Sequence, residues 1–341
     1  MFLKNCWYVA AYERELNNNA PVGRTILGDP IVLFRDSKGN PVALEDRCCH
    51  RHLPLSMGKV KGDKIQCGYH GLEFDRVGNC VSVPGQTNIP PNASIKSFPI
   101  IEKHGFFWIW MGNPFVADAE LIPNWWWVDD PAWGYNPGDF LHIKCNYQLI
   151  NDNLLDLSHL GYVHAQTIGN SAIVDFPIRT EKLDNKIRMS RWIQDRSPPP
   201  LYAAGMGSRE NVDRWQIVET ALPCYSVVYA GCGPVGSGKF GGPDEYRQGI
   251  RLRALNVPTP ETENSTFYFY AHVWDFRVGD KKWKKKMYED FLQTFMEDFE
   301  ILEAQQRSID RDRQRQFIDL NVDAPGIALR SMLQEKILTE R

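Results

Sequence analysis

The stretch "DRCCHRHLPL", residues 46–55, places four possible metal ligands, Cys48, Cys49, His50 and His52, within five positions. After sixteen intervening residues the spacing Cys48-x-His50 is answered by Cys67-x-x-His70 in "CGYHG". Each cluster sits where a β-rich run meets a turn. "PIVLFRD" (30–36) and "PVALEDRC" (41–48) flank "SKGN", a natural hairpin turn, and "IQCGYHGLEFD" carries the second cluster. Two such loops facing each other supply two thiolates and two imidazoles to one site. A closed tetrahedral zinc site satisfies that composition. So does a rival pairing, in which Cys49-x-x-His52 mirrors Cys67-x-x-His70 as two matched loops. These residues alone leave the alternatives open.

Working outward, the short strands continue through "FFWIWMG" and predict an all-β domain over residues 1–120. "LIPNWWWVDDPAW" (121–133) reads as a packed connector opening a second domain, 121–341. There "NYQLINDNLLDLSHLGYVH" (146–164) is a helix candidate, while "RWQIVET", "CYSVVYAG", "GIRLRALNV" and "STFYFYAHVWDF" read as strands of a larger antiparallel sheet. A long helix is predicted over 280–312, which makes this domain α+β.

The chain has 341 residues, 43% of them hydrophobic and 24% charged, with a net charge of −3. That balance predicts no pull toward nucleic acid or anionic membrane. No stretch approaches the ~18 apolar residues that span a bilayer, and the N-terminus lacks the apolar core of a signal peptide. A cytoplasmic protein is expected. Eight scattered cysteines do not make a disulfide scaffold. Cys6, Cys80, Cys145, Cys224 and Cys232 read as inert thiols.

A second constellation lies downstream. Asn153, Asp156 and His159 are spaced i, i+3, i+6 and share a helical face. His164 falls roughly 140° away on an ideal helix, so both histidines reach one metal only if the helix breaks, with Gly161 a natural place. In the late helix, Met287, Phe291, Phe295 and Leu302 form an apolar stripe, and Asp298 fills its missing position. Glu297, Glu300 and Glu303 lie off that line and read as solvated charges. A carboxylate on an apolar stripe is costly unless paired, and a metal ion removes the cost. His159, His164 and Asp298 would form a 2-His-1-carboxylate triad for non-haem Fe(II), with Asp156 as a hydrogen-bond partner to a ligand imidazole.

Together the motifs resemble the Rieske non-haem iron oxygenases. Cys48-x-His50 and Cys67-x-x-His70 look like the Rieske motif, in which two cysteines hold one iron of a [2Fe–2S] cluster and two histidines the other. "NCWYVAA", "CGYHGLEFD", "NDNLLDLSHLGYVH", "MEDFEILEAQQ" and "LNVDAPGIALRSMLQEKILTER" carry the resemblance over nearly the full chain and look like those of vanillate O-demethylase oxygenase subunits, with the dicamba and toluenesulfonate enzymes as relatives. It implies a helix-grip catalytic domain and NAD(P)H electrons arriving through a separate reductase. It also implies O₂ chemistry at the mononuclear iron, O-demethylation or methyl hydroxylation of an aromatic acid, and a head-to-tail homotrimer. Asp156 would then bridge the iron histidines to His50 or His70 across the interface. Two departures stand out: Cys49 replaces the family's usual proline, and His52 adds an imidazole.

Other features are weighed against these. "GCGPVGSGKF" (231–240) imitates nucleotide-binding loops, but no helix follows to hold a pyrophosphate and Phe240 replaces the Ser or Thr of a P-loop; it reads as a hairpin loop. "KKWKKK" (281–286) is a solvated helix start or a docking patch for an acidic reductase. His272 and Asn256, polar residues in apolar strands, are candidates to orient the substrate. Competing functions are a ring-hydroxylating dioxygenase and an electron-transfer or structural zinc protein that uses the first motif only.

Overall fold

The computed structural model describes residues 1–16, 20–164, 173, 175–237, 242–245 and 248–340. The chain divides into two compact units, each described by itself. The first comprises Met1–Trp125, Thr259–Glu263 and the C-terminal end, and the second Trp126–Pro258 and Asn264–Thr339.

The first unit is built from short strands. β1 (Trp7–Tyr12), β2 (Val22–Ile26), β3 (Asp29–Arg35) and β4 (Pro41–Glu45) precede the first Cys/His loop. β5 (Lys59–Lys61) and β6 (Lys64–Gln66) lead to the second, followed by β7 (Glu73–Phe74), β8 (Cys80–Ser82), β9 (Ser97–Phe98), β10 (Ile100–Lys103) and β11 (Phe106–Trp110). They form three antiparallel sheets, in the orders β1-β11-β10, β2-β3-β4-β9 and β5-β6-β7-β8. β1 and β11 are buried at every position, so they read as continuous apolar runs rather than alternating ones. Val32, Phe34, Leu44, Leu55, Ile65 and Phe74 form a core around the buried Cys48 and Cys67.

The second unit is α+β. Its strands are β12 (Gly134–Pro137), β13 (Leu141–Ile143), β14 (Ile178–Lys182), β15 (Lys186–Arg196), β16 (Val212–Ala221), β17 (Tyr225–Pro234), β18 (Ile250–Thr262) and β19 (Ser265–Trp274). They make an eight-stranded sheet in the order β12-β19-β18-β17-β16-β15-β14, with β13 also on β19. The helices are α1 (Tyr147–Leu155), α2 (Pro200–Met206), α3 (Lys281–Arg311) and α4 (Ala324–Thr339). Asp280 caps α3 by accepting from the Trp283 backbone N–H at 3.0 Å, and Trp283, Met287 and Phe291 pack against Leu252, Cys232 and Trp274 of the sheet. The lysines of "KKWKKK" start this helix; Lys285 and Lys286 pair one turn on with Glu289 and Asp290. On the opposite sheet face, Trp192 and Trp215 stack at 5.6 Å.

Two local readings change. The expected helix over 146–164 ends at Leu155, and a 3-10 turn, Leu157–Gly161, follows. The break falls at Asp156 rather than Gly161, because the Asp156 carboxylate accepts from the Ser158 backbone and starts a new cap. In "GCGPVGSGKF", Gly231–Pro234 is the end of β17 and a turn follows, while residues 238–240 lie outside the described residues. No helix among the described residues is long and apolar enough to cross a membrane.

The two Cys/His loops close in the same way. Cys48 N–H donates to Leu53 C=O, and His52 N–H to Cys48 C=O. Cys67 N–H donates to Leu72 C=O, and Gly71 N–H to Cys67 C=O. The fifth residue of each loop is left-handed, with φ of 59° at His52 and 75° at Gly71. Glycine adopts that conformation freely and histidine does not. His52→Gly should therefore stabilise the protein by about 0.5–1 kcal/mol, read as a higher melting midpoint; a lower one would contradict this account of the turn.

Candidate metal centres

Matched hydrogen bonds make Cys48 the counterpart of Cys67, Cys49 of Gly68, and His52 of Gly71. His52 thus stands where the loop needs its left-handed turn. His50 and His70 are exposed with ring centroids 4.5 Å apart, whereas Cys48 and Cys67 are buried beneath them. Burial pushes the Cys48 thiol up to about 11, with the neighbouring Cys67 adding to the shift and a hydrogen bond from the His50 backbone opposing it. A buried thiol such as Cys48, beside a second buried sulfur, binds a metal by giving up its proton to it. Buried sulfur and exposed imidazole on one site suit a two-iron cluster that Cys48 and Cys67 would hold through thiolates and His50 and His70 through imidazoles.

The second centre lies in the second unit. α1 presents Asn153, the 3-10 turn presents His159, and the chain just beyond it presents His164 against α3. Ligand atoms of His159, His164 and Asp298 all lie within 4.8 Å of one another. Asp298 Oδ1 is 3.1 Å from His164 Nε2, 3.6 Å from His159 Nε2 and 3.1 Å from Asn153 Nδ2, which donates to it. The outer nitrogens are also held. His159 Nδ1 contacts the Asp156 backbone carbonyl, and His164 Nδ1 is 2.7 Å from Glu297 Oε2. Burial opposes the His164 cation, but Asp298 and Glu297 outweigh it and raise its pKa. A carboxylate and two inward-facing imidazole nitrogens form one face of a coordination sphere, a donor set that fits a ferrous ion with positions left open.

Glu297 is thus no solvated surface charge. It lies off the apolar stripe, yet its side chain reaches the buried His164 ring, and an acidic neighbour of a ligand position was the available signal. Asp156 meets His159 through its carbonyl; its carboxylate is engaged by Ser158 N–H and Oγ.

Beside the triad lies a partly open cavity with about 90 Å³ of free space, lined by His159, His164 and Asp298 and by an apolar wall that includes Leu157, Val228, Leu252 and Phe295. Asn256 also lines it, but its amide is committed: it accepts from Tyr268 Oη at 2.6 Å and donates to Ala254 C=O at 3.0 Å. His272 is not among the lining residues. It stacks on Phe291 at 3.8 Å, and burial lowers its pKa to about 3, which leaves it a neutral core imidazole. Two lining residues that sequence reasoning missed are Arg214 and Gln216 on β16, where every position from 212 to 220 is buried and no alternation marks the inner face.

Comparison with known proteins agrees with this layout. The model of the Rieske [2Fe-2S] domain matches residues 6–99, and that of the vanillate O-demethylase oxygenase C-terminal domain matches residues 143–339. The toluene-4-sulfonate monooxygenase system iron-sulfur subunit of Comamonas testosteroni is 36% identical over 95% of this chain and 94% of its own. The vanillate O-demethylase oxygenase subunit of Pseudomonas sp. (strain HR199 / DSM 7063) is 36% identical over 100% and 96%. A crystal structure of dicamba monooxygenase bound to 3,6-dichlorosalicylic acid superposes with a TM-score of 0.92 at 32% identity, covering 99% of this chain and 98% of that one. With two domain models in the order its two metal motifs require, the chain belongs to the Rieske non-haem iron oxygenases, in the vanillate O-demethylase oxygenase family.

Proposed function

We propose that this protein is the oxygenase component of a monooxygenase that removes an O-methyl group from, or hydroxylates a methyl group on, a substituted aromatic acid. The observation that carries the reading is the His159/His164/Asp298 face opening on an apolar cavity. In this reading residues 1–120 hold a Rieske cluster through Cys48, His50, Cys67 and His70, and residues 121–341 hold a mononuclear iron through His159, His164 and Asp298. When bound, the cluster supplies single electrons and the ferrous iron supplies dioxygen activation.

The chain's own residues do the rest. Glu297 and the Asp156 carbonyl fix the ring orientation of the two histidines, and Asn153 holds one oxygen of Asp298. The apolar wall excludes water and seats an aromatic ring. Insertion of one atom of O₂ into a methoxy C–H bond, the other atom leaving as water with the two electrons from NAD(P)H and two protons, gives a hemiacetal, which collapses to a phenol and formaldehyde. Electrons come from NAD(P)H through a separate reductase in this reading. Relatives named as oxygenase components, such as that of dicamba O-demethylase, support that division of labour. The resemblance further supports a cytoplasmic head-to-tail homotrimer, with Asp156 linking the iron histidines to His50 or His70 of the partner subunit.

Three outcomes are expected. Asp298→Ala should lose the mononuclear iron by metal analysis and keep the visible spectrum of the cluster; loss of both would make α3 a structural element only. Glu297→Gln should weaken ferrous iron about 10–100-fold, measured by competition with a chelator, and unchanged affinity would remove its positioning role. With a surrogate reductase, methoxybenzoates should release formaldehyde; cis-diols without formaldehyde would replace this reading by ring dihydroxylation.

A further inference from the structure

Arg214 is the one arginine or lysine among the described residues that line the cavity beside the triad. It is only 1% exposed, and its Nε and Nη1 find no hydrogen-bond partner among the described residues. Its guanidinium carbon lies 4.7 Å from the centre of the Tyr202 ring, another lining residue, whose phenol burial keeps protonated. The neighbouring acid, Asp213, is engaged elsewhere: it accepts from the backbone N–H of Asp195 at 3.0 Å and of Gly236 at 2.8 Å. Two positions along the same face of β16, Gln216 is 4% exposed, and its Oε1 is also without a partner among the described residues. In the sheet Arg214 lies opposite Cys232 and Gln216 opposite Ala230, so apolar side chains flank both. Arg191, facing Gln216 on β15, is a second buried arginine, but it is not among the lining residues and the Asp156 charge acts on it.

A guanidinium held in an apolar wall by the Tyr202 ring and hydroxyl, with no carboxylate partner among the described residues, is costly, and the cost is recovered when an anion enters. Planar donors with free nitrogens match an oxyanion of carboxylate or sulfonate type. We propose that Arg214, supported by the Gln216 amide, is the acid-group anchor of the substrate cavity. It fixes the acid end of an aromatic substrate so that the substituent at the other end of the ring faces His159, His164 and Asp298. This inference rests on reading the cavity as the substrate site of the proposed oxygenase, but it is tested by binding rather than turnover.

The experiment measures equilibrium binding of p-methoxybenzoate, p-methoxybenzenesulfonate and the neutral p-methoxybenzamide to the iron-loaded protein by calorimetry. The wild type should prefer at least one of the two anions over the amide by about 10-fold or more. Arg214→Met should weaken that anion by about 10–100-fold while leaving the amide unchanged. Its melting point without ligand should hold or rise, since an unpaired buried charge has gone. Arg214→Lys, which keeps the charge, should fall between the two and serves alone if the Met variant does not fold. Equal affinity of the wild type for anions and amide would overturn the inference, as would equal loss of both in Arg214→Met. Arg214-dependent anion binding without any formaldehyde or hydroxylated product would uphold the anchor and count against the proposed reaction.

Discussion

Everything in the second unit is arranged around one carboxylate. Asp298 sits on the inward face of α3, one helical turn from the buried Thr294 and from Leu302. A charge there is tolerated only because His159, His164 and Asn153 converge on it. That convergence needs α1 to stop at Asp156, so that a 3-10 turn can swing His159 toward α3. It also needs α3 to lie flat on the sheet, which its Trp283, Met287 and Phe291 stripe secures. Removing the compensation costs more than the pair contributes, so the packing and the metal site are selected together.

The first unit solves the opposite problem. Its core is completed by two thiols, and a pair of loops with matching hydrogen bonds holds the histidines outside it. Buried sulfur lowers solvent access, while exposed imidazole edges offer a surface exit for an electron. The loops differ in one respect, the left-handed turn residue, which is Gly71 in one and His52 in the other. His52 thus occupies a backbone role that glycine fills better, and Cys49 takes the position of Gly68.

Much of this was legible in the sequence. Asp298 betrayed itself because a polar residue interrupted a helical stripe, and the paired Cys/His loops stood out because both sat beside β-turns. The domain class followed from strand runs early and a long helix late. What stayed hidden had physical causes. Glu297 looked solvated because stripe arguments place the Cα and not the end of a three-carbon side chain. Arg214 and Gln216 lie on a strand buried on both faces, where period-two patterning carries no signal. Asn256 and His272 did stand out as polar residues in apolar strands, yet the first is committed to Tyr268 and Ala254 and the second stacks on Phe291. Polarity in a strand marks a site only when the side chain faces the cavity with its hydrogen bonds unmet, and both are tertiary properties.

The claim beneath both units is that this chain carries two chemically distinct iron centres. Mössbauer spectroscopy of the protein reconstituted with iron and sulfide, combined with metal and acid-labile sulfide analysis, tests it most directly. The account predicts about three irons and two sulfides per chain: an antiferromagnetically coupled pair with inequivalent sites, plus one high-spin ferrous ion. Stoichiometric zinc with no labile sulfide, or a coupled pair with no separate ferrous component, would contradict it.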